Sequence, residues 1–502
     1  MVAPPIARRA ALVAPPWGLV YGAFRPAARV GVFYPPLGLC ALAAVLRKEG
    51  WAVRVVDAEA ESLDLEGVAR TLDEFRPTFV GIQVVSPLWE AAVALARLAR
   101  TRLDVPVLLG GPHVTLLAEE ALEQNPWADA AAIGEGEETI LEFARAIDAG
   151  RDPRATDGLV VREGDRIART GPRASPADLD ALPDPDRAGL PSHRYLFSVP
   201  GQGSRRFTTI SSARGCPFEC TFCTEPVMHG RRVRYRSPRV VVDEIAAAHR
   251  DLGASHFVFV DDTLTLDPER ILEICDGIRG RNLPVTLEGW THANTVDEKL
   301  LVAMRRAGFV RLSFGIESGD ASVLSTLKKG TDLGRIRDAI RWAKAAGLET
   351  RGSVILGLPG DTRASVERTI EFVTGLDDLD HCYFNIAMPY PGTEMRRRAL
   401  AGEGGTRLLT KDYSALRRQG QSVVMEVNDL DPKTLLALQR RAYRTFWLRP
   451  RRVAYNVRRA GLAAGFENGW AFLRSFVLPQ RSKAVAFRSE ITAMSEMQAV
   501  QP

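Results

Sequence analysis

Cys216, Cys220 and Cys223 stand in the run Ala213-Arg-Gly-Cys-Pro-Phe-Glu-Cys-Thr-Phe-Cys-Thr224. Three thiolates at C-x3-C-x2-C spacing can hold three irons of a 4Fe–4S cluster and leave the fourth iron without a protein ligand. An open iron can coordinate a small molecule, so such a cluster is a reagent and not only an electron carrier. A structural zinc site is the alternative. Zinc, however, usually takes a fourth Cys or His at compact spacing, and His229 is the only nearby candidate. The other cysteines, Cys40, Cys275 and Cys382, are scattered, and six in 502 residues do not form a disulfide framework. Cys275 in a helix and Cys382 on a strand read as buried free thiols, although a strand position could also turn Cys382 towards an interior.

The cysteine run, with the aromatic Phe222 directly before its third cysteine, resembles the signature of the radical S-adenosylmethionine (SAM) enzymes. The resemblance extends over about residues 200 to 400. It implies that the amino and carboxylate groups of SAM chelate the open iron. One electron from the cluster then cleaves SAM to methionine and a 5′-deoxyadenosyl radical. Other segments complete a SAM site by the same resemblance. In Phe259-Val-Asp-Asp262 one carboxylate, Asp261 or Asp262, is implied to accept hydrogen bonds from the SAM ammonium, a charge-assisted contact. Glu317 and Ser318, in Gly315-Ile-Glu-Ser-Gly319, resemble the ribose- or methionine-contacting segment. Ile355 and Gly357, in Ile355-Leu-Gly-Leu-Pro-Gly360, take the place of the adenine-packing strand end, and Pro389 opens Pro389-Tyr-Pro-Gly-Thr393. Any one of these alone reads as an ordinary strand-to-helix turn with a capping carboxylate. Lys328, Lys329 and Arg351 lie near the same ends, either as a carboxylate clamp or as solvated surface.

These segments need a scaffold that brings strand ends together. Six βα repeats provide one, with strands expected at 207–212, 256–261, 285–290, 311–315, 351–356 and 381–387. Six units are too few for a closed eight-stranded barrel and fit the open (β/α)6 barrel of the radical SAM fold, with its chemistry at the carboxyl ends of the strands. The cysteine run follows the first of these strands.

Upstream, short apolar runs at 10–14, 52–57, 79–86, 107–110 and 130–134 alternate with helical patterns. Five such strands suit an α/β, doubly wound, flavodoxin-like sheet whose ligand sits beyond the carboxyl ends. Those ends carry Ser86-Pro-Leu88, Gly110-Gly111-Pro112-His113 and Gly134-Glu-Gly-Glu137, and glycine lets backbone approach a ligand closely. The arrangement resembles a cobalamin-binding domain, in which Ser86, Leu88, Gly110 and Gly111 would line the slot for the nucleotide tail. Pro35-Pro36-Leu37-Gly38, opening the first helix, is similar to a segment of cobalamin-dependent radical SAM proteins, and Gly134 and Gly136 belong to the same rim. The loop from Pro15 to Tyr34 lacks the cobalt-ligating histidine of many such domains. His113 is the nearest alternative and reads better as a polar residue at a helix start.

The expected domains are a cobalamin-binding domain over 1–149, a linker over 150–203 and the cluster-bearing barrel over 204–400. A mostly helical, substrate-related segment over 401–480 and a disordered tail over 481–502 complete the chain. Helices are expected at 435–446 and 453–462. Around them lie Arg440, Arg441, Arg444, Arg449, Arg451, Arg452, Arg458 and Arg459, which suit an anionic membrane surface or an acidic substrate as well as a solvated helix face. The apolar fraction of 46% and charged fraction of 25% are those of a soluble globular chain. The net charge of +5 (66 basic minus 61 acidic residues) is too small to argue for nucleic acid. The uncharged stretch 10–24 is broken by Pro15, Pro16 and Gly18 and is too short to span a membrane. No targeting peptide is visible, and a low-potential cluster points to the cytoplasm.

The resemblance as a whole implies a cobalamin-dependent radical SAM enzyme with three cofactors, a 4Fe–4S cluster, SAM and cobalamin. It also implies a one-electron donor such as flavodoxin or ferredoxin. Methyl transfer from SAM, via methylcobalamin, to an unactivated carbon of a small-molecule or lipid-like substrate is the commonest use of this architecture. Cyclisation, ring contraction and dehydration need the same two cofactor sites. A cluster- and cobalamin-binding sensor is a third reading, although a sensor has no need of SAM. Methylthiotransferases are excluded, because their amino-terminal domain brings cysteines and residues 1–215 hold only Cys40. No residue stands out as catalytic.

Overall fold

The computed structural model describes residues 8–17, 34–199, 202–416, 422–450 and 452–453. In the amino-terminal half, β1 (Arg9–Ala14), β2 (Ala52–Asp57), β3 (Phe79–Gln83), β4 (Val107–Gly110) and β5 (Ala130–Ala132) run parallel in the order β2-β1-β3-β4-β5. This is the doubly wound order expected of a flavodoxin-like domain. Helices α1 (Leu37–Lys48), α2 (Leu65–Phe75), α3 (Trp89–Leu103), α4 (Pro112–Gln124) and α5 (Glu137–Asp148) cover the sheet. Ala10, Ala11, Leu12 and Val13 are all fully buried, as an inner parallel strand covered on both faces requires.

The segment expected as an irregular linker is partly ordered into sheet. β6 (Leu159–Glu163) and β7 (Arg166–Arg169) extend the first sheet as an antiparallel hairpin. β8 (Leu196–Val199) pairs antiparallel with the first barrel strand, β9 (Gly203–Ile210). Beyond it β12 (His256–Phe259), β13 (Thr286–Thr291), β14 (Phe309–Glu317), β15 (Glu349–Leu356) and β16 (His381–Ile386) continue in parallel, in the order β16-β15-β14-β13-β12-β9-β8. The sheet curls through 242° without closing, which is the expected half-barrel.

Helices α7 (Pro238–Leu252), α8 (Pro268–Gly280), α9 (Glu298–Arg306), α10 (Ala321–Thr326), α11 (Leu333–Ala345) and α12 (Arg363–Gly375) form the outer layer. A short polar side chain starts most of them. Asp267, Asp297, Asp320, Asp332 and Thr362 each accept a hydrogen bond from a backbone N–H of the first turn. Such caps satisfy donors that the helix leaves unpaired.

Two short elements bracket the cysteine run: β10 (Ala213–Arg214) and β11 (Arg234–Tyr235) form an antiparallel ladder, with α6 (Glu225–Met228) inside the loop. The carboxyl-terminal part contains α13 (Glu394–Ala401), a β17 (Thr406–Leu408)–β18 (Met425–Val427) pair and α14 (Pro432–Trp447). Its described residues therefore include strand as well as helix. α14 packs against β16, where Gln439 Nε2 donates to the Phe384 carbonyl at 2.7 Å. The helix expected at 453–462 and the tail at 481–502 lie outside the described residues, apart from Val453. One apolar cluster joins the two halves, running from Leu12, Leu39 and Phe143 to Phe197, Phe207 and Val258.

Candidate functional site

The cysteine loop leaves the carboxyl end of β9 and is tied at many points. Asp261, just past β12, accepts from Ser212 N at 2.6 Å and Ala213 N at 3.1 Å, and Ser212 Oγ donates to its second oxygen. Gly215 has φ +95°, and a Cβ there would meet the Arg232 carbonyl at 2.6 Å, so the loop's entry requires glycine. Thr221 N donates to Leu327 O at 3.1 Å and Met395 N to Thr221 O at 2.9 Å, anchoring the loop's far side to the end of α10 and the first turn of α13. Cys216, Cys220 and Cys223 are free thiols, the first buried and the others half-buried. Burial raises all three, Cys220 to about 11 and Cys223 to about 12. A metal must displace those protons, as it does at thiolate sites generally. Three thiols on one pinned loop are the donor set a site-differentiated cluster takes.

The expected SAM residues divide into those that reach this mouth and those that shape its walls. Asp261 is fully engaged with the loop backbone, which leaves Asp262 as the carboxylate facing the cavity. Burial and the neighbouring Glu225 push the Asp262 carboxyl up to about 8. Glu225, His229 and Asp262 place ligand atoms within 4.8 Å of one another. Glu317 sits at φ +63° and accepts from Lys329 Nζ at 2.6 Å. Lys329 is buried, not solvated, and a Cβ at Gly315 would overlap both partners. Ser318 is buried and serves the turn, accepting from Asp320 N at 3.1 Å. Gly357 (φ +83°) lets Leu435 of α14 approach to 3.0 Å of where a Cβ would stand. Ile355 and Phe222 are partly buried against the barrel core, and the Pro389 carbonyl accepts from Arg396 Nη1 at 3.1 Å.

Arg351 is half-buried, 3.6 Å from Glu288, and Lys328 pairs with Glu394 at 2.7 Å on the surface. Cys382 does not face the interior. It lies in the outer apolar core on the side of Phe384, whose ring meets Tyr443 of α14 at 5.1 Å. Cys275 lies in the same core.

The cobalamin residues surround a cavity of about 410 Å³ that runs from the barrel mouth down between the first sheet and helices α1 and α5. Leu37, Gly38, Gly110, Gly111, Gly134 and Gly136 line it. A Cβ at Gly38, Gly110 or Gly134 would stand in open space, so these glycines keep a slot that side chains would fill. Leu12, Gly81, Leu108 and Ile140 form its deeper wall. A narrow, apolar, glycine-rimmed slot at the carboxyl ends of the strands fits a corrinoid and its tail.

Pro36 starts α1 and is buried beside the slot. Ser86, Leu88 and His113 are not among the lining residues. All three are buried; His113 Nδ1 lies 3.1 Å from Ser86 Oγ, with its ring between Trp89 and Tyr413. His113 is therefore a packed core residue.

Sequence reasoning gave no role to His292, Glu225, Arg214, Arg234 or the two glutamates of Gly134-Glu-Gly-Glu137. His292 Nδ1 accepts from Asn294 N at 3.1 Å, so Nε2–H donates to the Lys329 carbonyl, also at 3.1 Å. Phe218 of the cysteine loop stacks on its ring at 4.2 Å. Its single signal was a position just past β13, where a strand end must meet the loop.

A half-barrel with a three-cysteine loop, set against a doubly wound domain with a glycine-rimmed slot, defines the cobalamin-binding radical SAM class. Residues 210–373 match the family model of the Radical SAM superfamily and residues 26–144 that of the B12 binding domain. The chain belongs to this family, and the two domains account for the cofactors expected from the sequence: cluster, SAM and cobalamin. An uncharacterized methyltransferase of Pyrococcus horikoshii is 34% identical over 84% of this chain and 90% of its own length. The anaerobic magnesium-protoporphyrin IX monomethyl ester cyclase of Cereibacter sphaeroides is 28% identical over 73% of this chain and 61% of its own. Among solved structures, the methyltransferase TsrM of Kitasatospora setae, with cobalamin and cluster bound, shares the fold. It has TM-score 0.69 at 17% identity, covering 99% of this chain and all of that one. OxsB, with aqua-cobalamin and SAM bound, has TM-score 0.72 at 15% identity, covering 99% of this chain and 76% of that one.

Proposed function

We propose that this protein is a cobalamin-dependent radical SAM methyltransferase acting on a carbon of a small-molecule or lipid-like substrate. The observation that carries the reading is the single cavity shared by the glycine-rimmed slot and the mouth beside the cysteine loop. The 34% identity to a methyltransferase over most of both chains supports methyl transfer in particular. When bound, the cluster supplies the electron that cleaves SAM, and the corrinoid supplies a methyl carrier.

The chain's own residues do the positioning. Cys216, Cys220 and Cys223 would hold three irons, and Asp261 fixes the strand end that presents them. Asp262 would receive the SAM ammonium, while Glu317, held by Lys329, would face the ribose or methionine part. Phe222, Ile355, Gly357 and Pro389 shape the adenine side, and Ser318 supports the Glu317 turn. Leu37, Gly38, Gly110, Gly111, Gly134 and Gly136 would seat the corrinoid, with Pro36, Ser86, Leu88 and His113 behind them. Holding three reactants in one cavity turns bimolecular encounters into positioned ones.

The cyclase relative favours a second reading, in which the same sites drive a non-methylating radical reaction. The test is to incubate loaded enzyme and a reductant with SAM bearing a deuterated methyl group and a small-molecule extract of the source cells. Methyl transfer predicts a product that carries the label, with S-adenosylhomocysteine and 5′-deoxyadenosine both formed. A substrate consumed with 5′-deoxyadenosine alone, and no label in its product, would select the cyclase-like reading.

A further inference from the structure

Arg214 and Arg234 face each other across the β10–β11 ladder, at the neck of the loop that carries all three cysteines. Both reach into the other domain. Arg214 donates from Nη1 to Glu135 Oε2 at 2.5 Å and from Nη2 to Glu137 Oε1 at 2.6 Å. Arg234 donates from Nη1 to Glu135 Oε2 at 3.1 Å and from Nη2 to Glu135 Oε1, and also holds the Pro176 carbonyl at 2.7 Å. The carboxylates are almost dry, their side chains 2% and 6% exposed. Glu135 and Glu137 alternate with Gly134 and Gly136, and all four residues line the slot. The loop that rims the corrinoid slot is thus the loop that grips the neck of the cysteine loop.

We propose that this four-residue ion cluster is a positioning device that couples occupancy of the corrinoid slot to the order of the cysteine loop. The inference rests on the assignment of cobalamin to the slot and of iron to the cysteines, and it goes beyond that assignment by joining the two sites. The physical reason is that a buried carboxylate cannot be left without its partner. Breaking one arm leaves an uncompensated charge in a dry seam, so the four side chains move as a unit. A shift of the Gly134–Glu137 rim must then move the neck that begins one residue before Gly215 and two before Cys216. Coupling between two binding sites is reciprocal, and commonly changes affinity about 5- to 150-fold.

The experiment measures hydroxocobalamin binding by absorbance titration in two forms of the full chain. One has its iron–sulfur cluster reconstituted; the other is Cys216→Ala/Cys220→Ala/Cys223→Ala. The ratio of the two dissociation constants reads the coupling without turnover. The wild-type pair is expected to differ by about fivefold or more. Glu137→Gln, introduced into both forms, is expected to bring the ratio towards one. Because that change could unsettle the seam, Arg214→Lys is the second variant. It keeps the charge but gives up the planar fork that holds two carboxylates at once, and it should lower the ratio in protein that still unfolds in one cooperative transition. A wild-type ratio of one, or a ratio unchanged in a folded Arg214→Lys pair, would overturn the inference. Absence of any cobalamin uptake would overturn it together with the assignment on which it rests.

Discussion

Asp261 and Asp262 are adjacent and identical in type, yet they face opposite tasks. Asp261 is buried and spends both oxygens on Ser212 and Ala213, while Asp262 opens to the cavity. Asp261→Asn should cost about 1.5–3 kcal/mol, the worth of hydrogen bonds to a charged group, and lower the iron content of reconstituted protein. Urea unfolding and iron analysis check both. Asp262→Asn should leave stability within about 0.5 kcal/mol, as changes outside the packed core do. It should weaken SAM binding about tenfold or more, because the SAM ammonium, which would favour the ionised form of this carboxyl, loses its charged partner. The opposite assignment of phenotypes would show that the two roles are reversed. The sequence named the pair but could not rank them, because the choice depends on which backbone donors the next loop offers. The cysteines were readable because their chemistry depends on covalent spacing alone. Lys329 was not, since a lysine becomes buried only when a distant carboxylate, here Glu317, is folded against it.

At the scale of elements, strand ends decide the site. Gly110→Leu and Gly38→Leu would place side chains in open slot with nothing within 4 Å of the new Cβ, and neither glycine has a positive φ. Both variants should keep the wild-type unfolding midpoint and lose cobalamin binding at least tenfold, read by the same absorbance titration. Within the barrel, Glu288 on β13 meets Arg311 of β14 at 2.7 Å and Arg351 of β15 at 3.6 Å. Burial raises the Glu288 carboxyl, but Arg351, His256 and Arg311 overcome that effect and bring it to about 2. Its folded value lies below the ordinary glutamate value of about 4.3. The stabilisation is therefore present above about pH 4.3 and lost as pH falls towards 2. Glu288→Gln removes the carboxylate that Arg311 and Arg351 share, while Arg311 keeps Glu349 at 2.6 Å, and should cost about 3 kcal/mol at neutral pH, the lower end for a broken buried pair, with a flatter acid limb in the stability–pH curve. The eleven parallel-sheet strands inferred from apolar runs lie close to their positions in the fold, within the spread usual for boundaries. The β6–β7 hairpin was missed because an edge ribbon such as Arg166–Arg169 carries polar residues on both faces and gives no apolar period.

At the scale of the whole molecule, two domains share a seam that composition could not reveal. Tyr195 donates to Asp57 Oδ2 at 2.7 Å, and Arg194 to the Ala60 carbonyl at 2.9 Å. These contacts tie the segment entering β8 to the end of β2, and only a folded chain shows which faces oppose. The carboxyl-terminal arginines also read differently in three dimensions. Arg441 pairs with Glu367, while Arg449 and Arg452 donate to the Thr374 and Leu376 carbonyls at the end of α12. Three of the eight thus hold α14 and the residues after it to the barrel; Arg451, Arg458 and Arg459 lie outside the described residues. Among the described residues, no helix is long and apolar enough to cross a membrane.

In the proposed function one chain runs two SAM reactions from two joined sites. The most direct measurement is anaerobic incubation of cluster- and cobalamin-loaded protein with SAM and a strong reductant, with both nucleoside products quantified. S-adenosylhomocysteine and 5′-deoxyadenosine are expected together. The cysteine-to-alanine triple variant should lose 5′-deoxyadenosine, and Gly110→Leu should lose S-adenosylhomocysteine. Loaded wild-type protein that forms 5′-deoxyadenosine without any S-adenosylhomocysteine would contradict methyl transfer, and a triple variant that still forms 5′-deoxyadenosine would contradict the radical site itself.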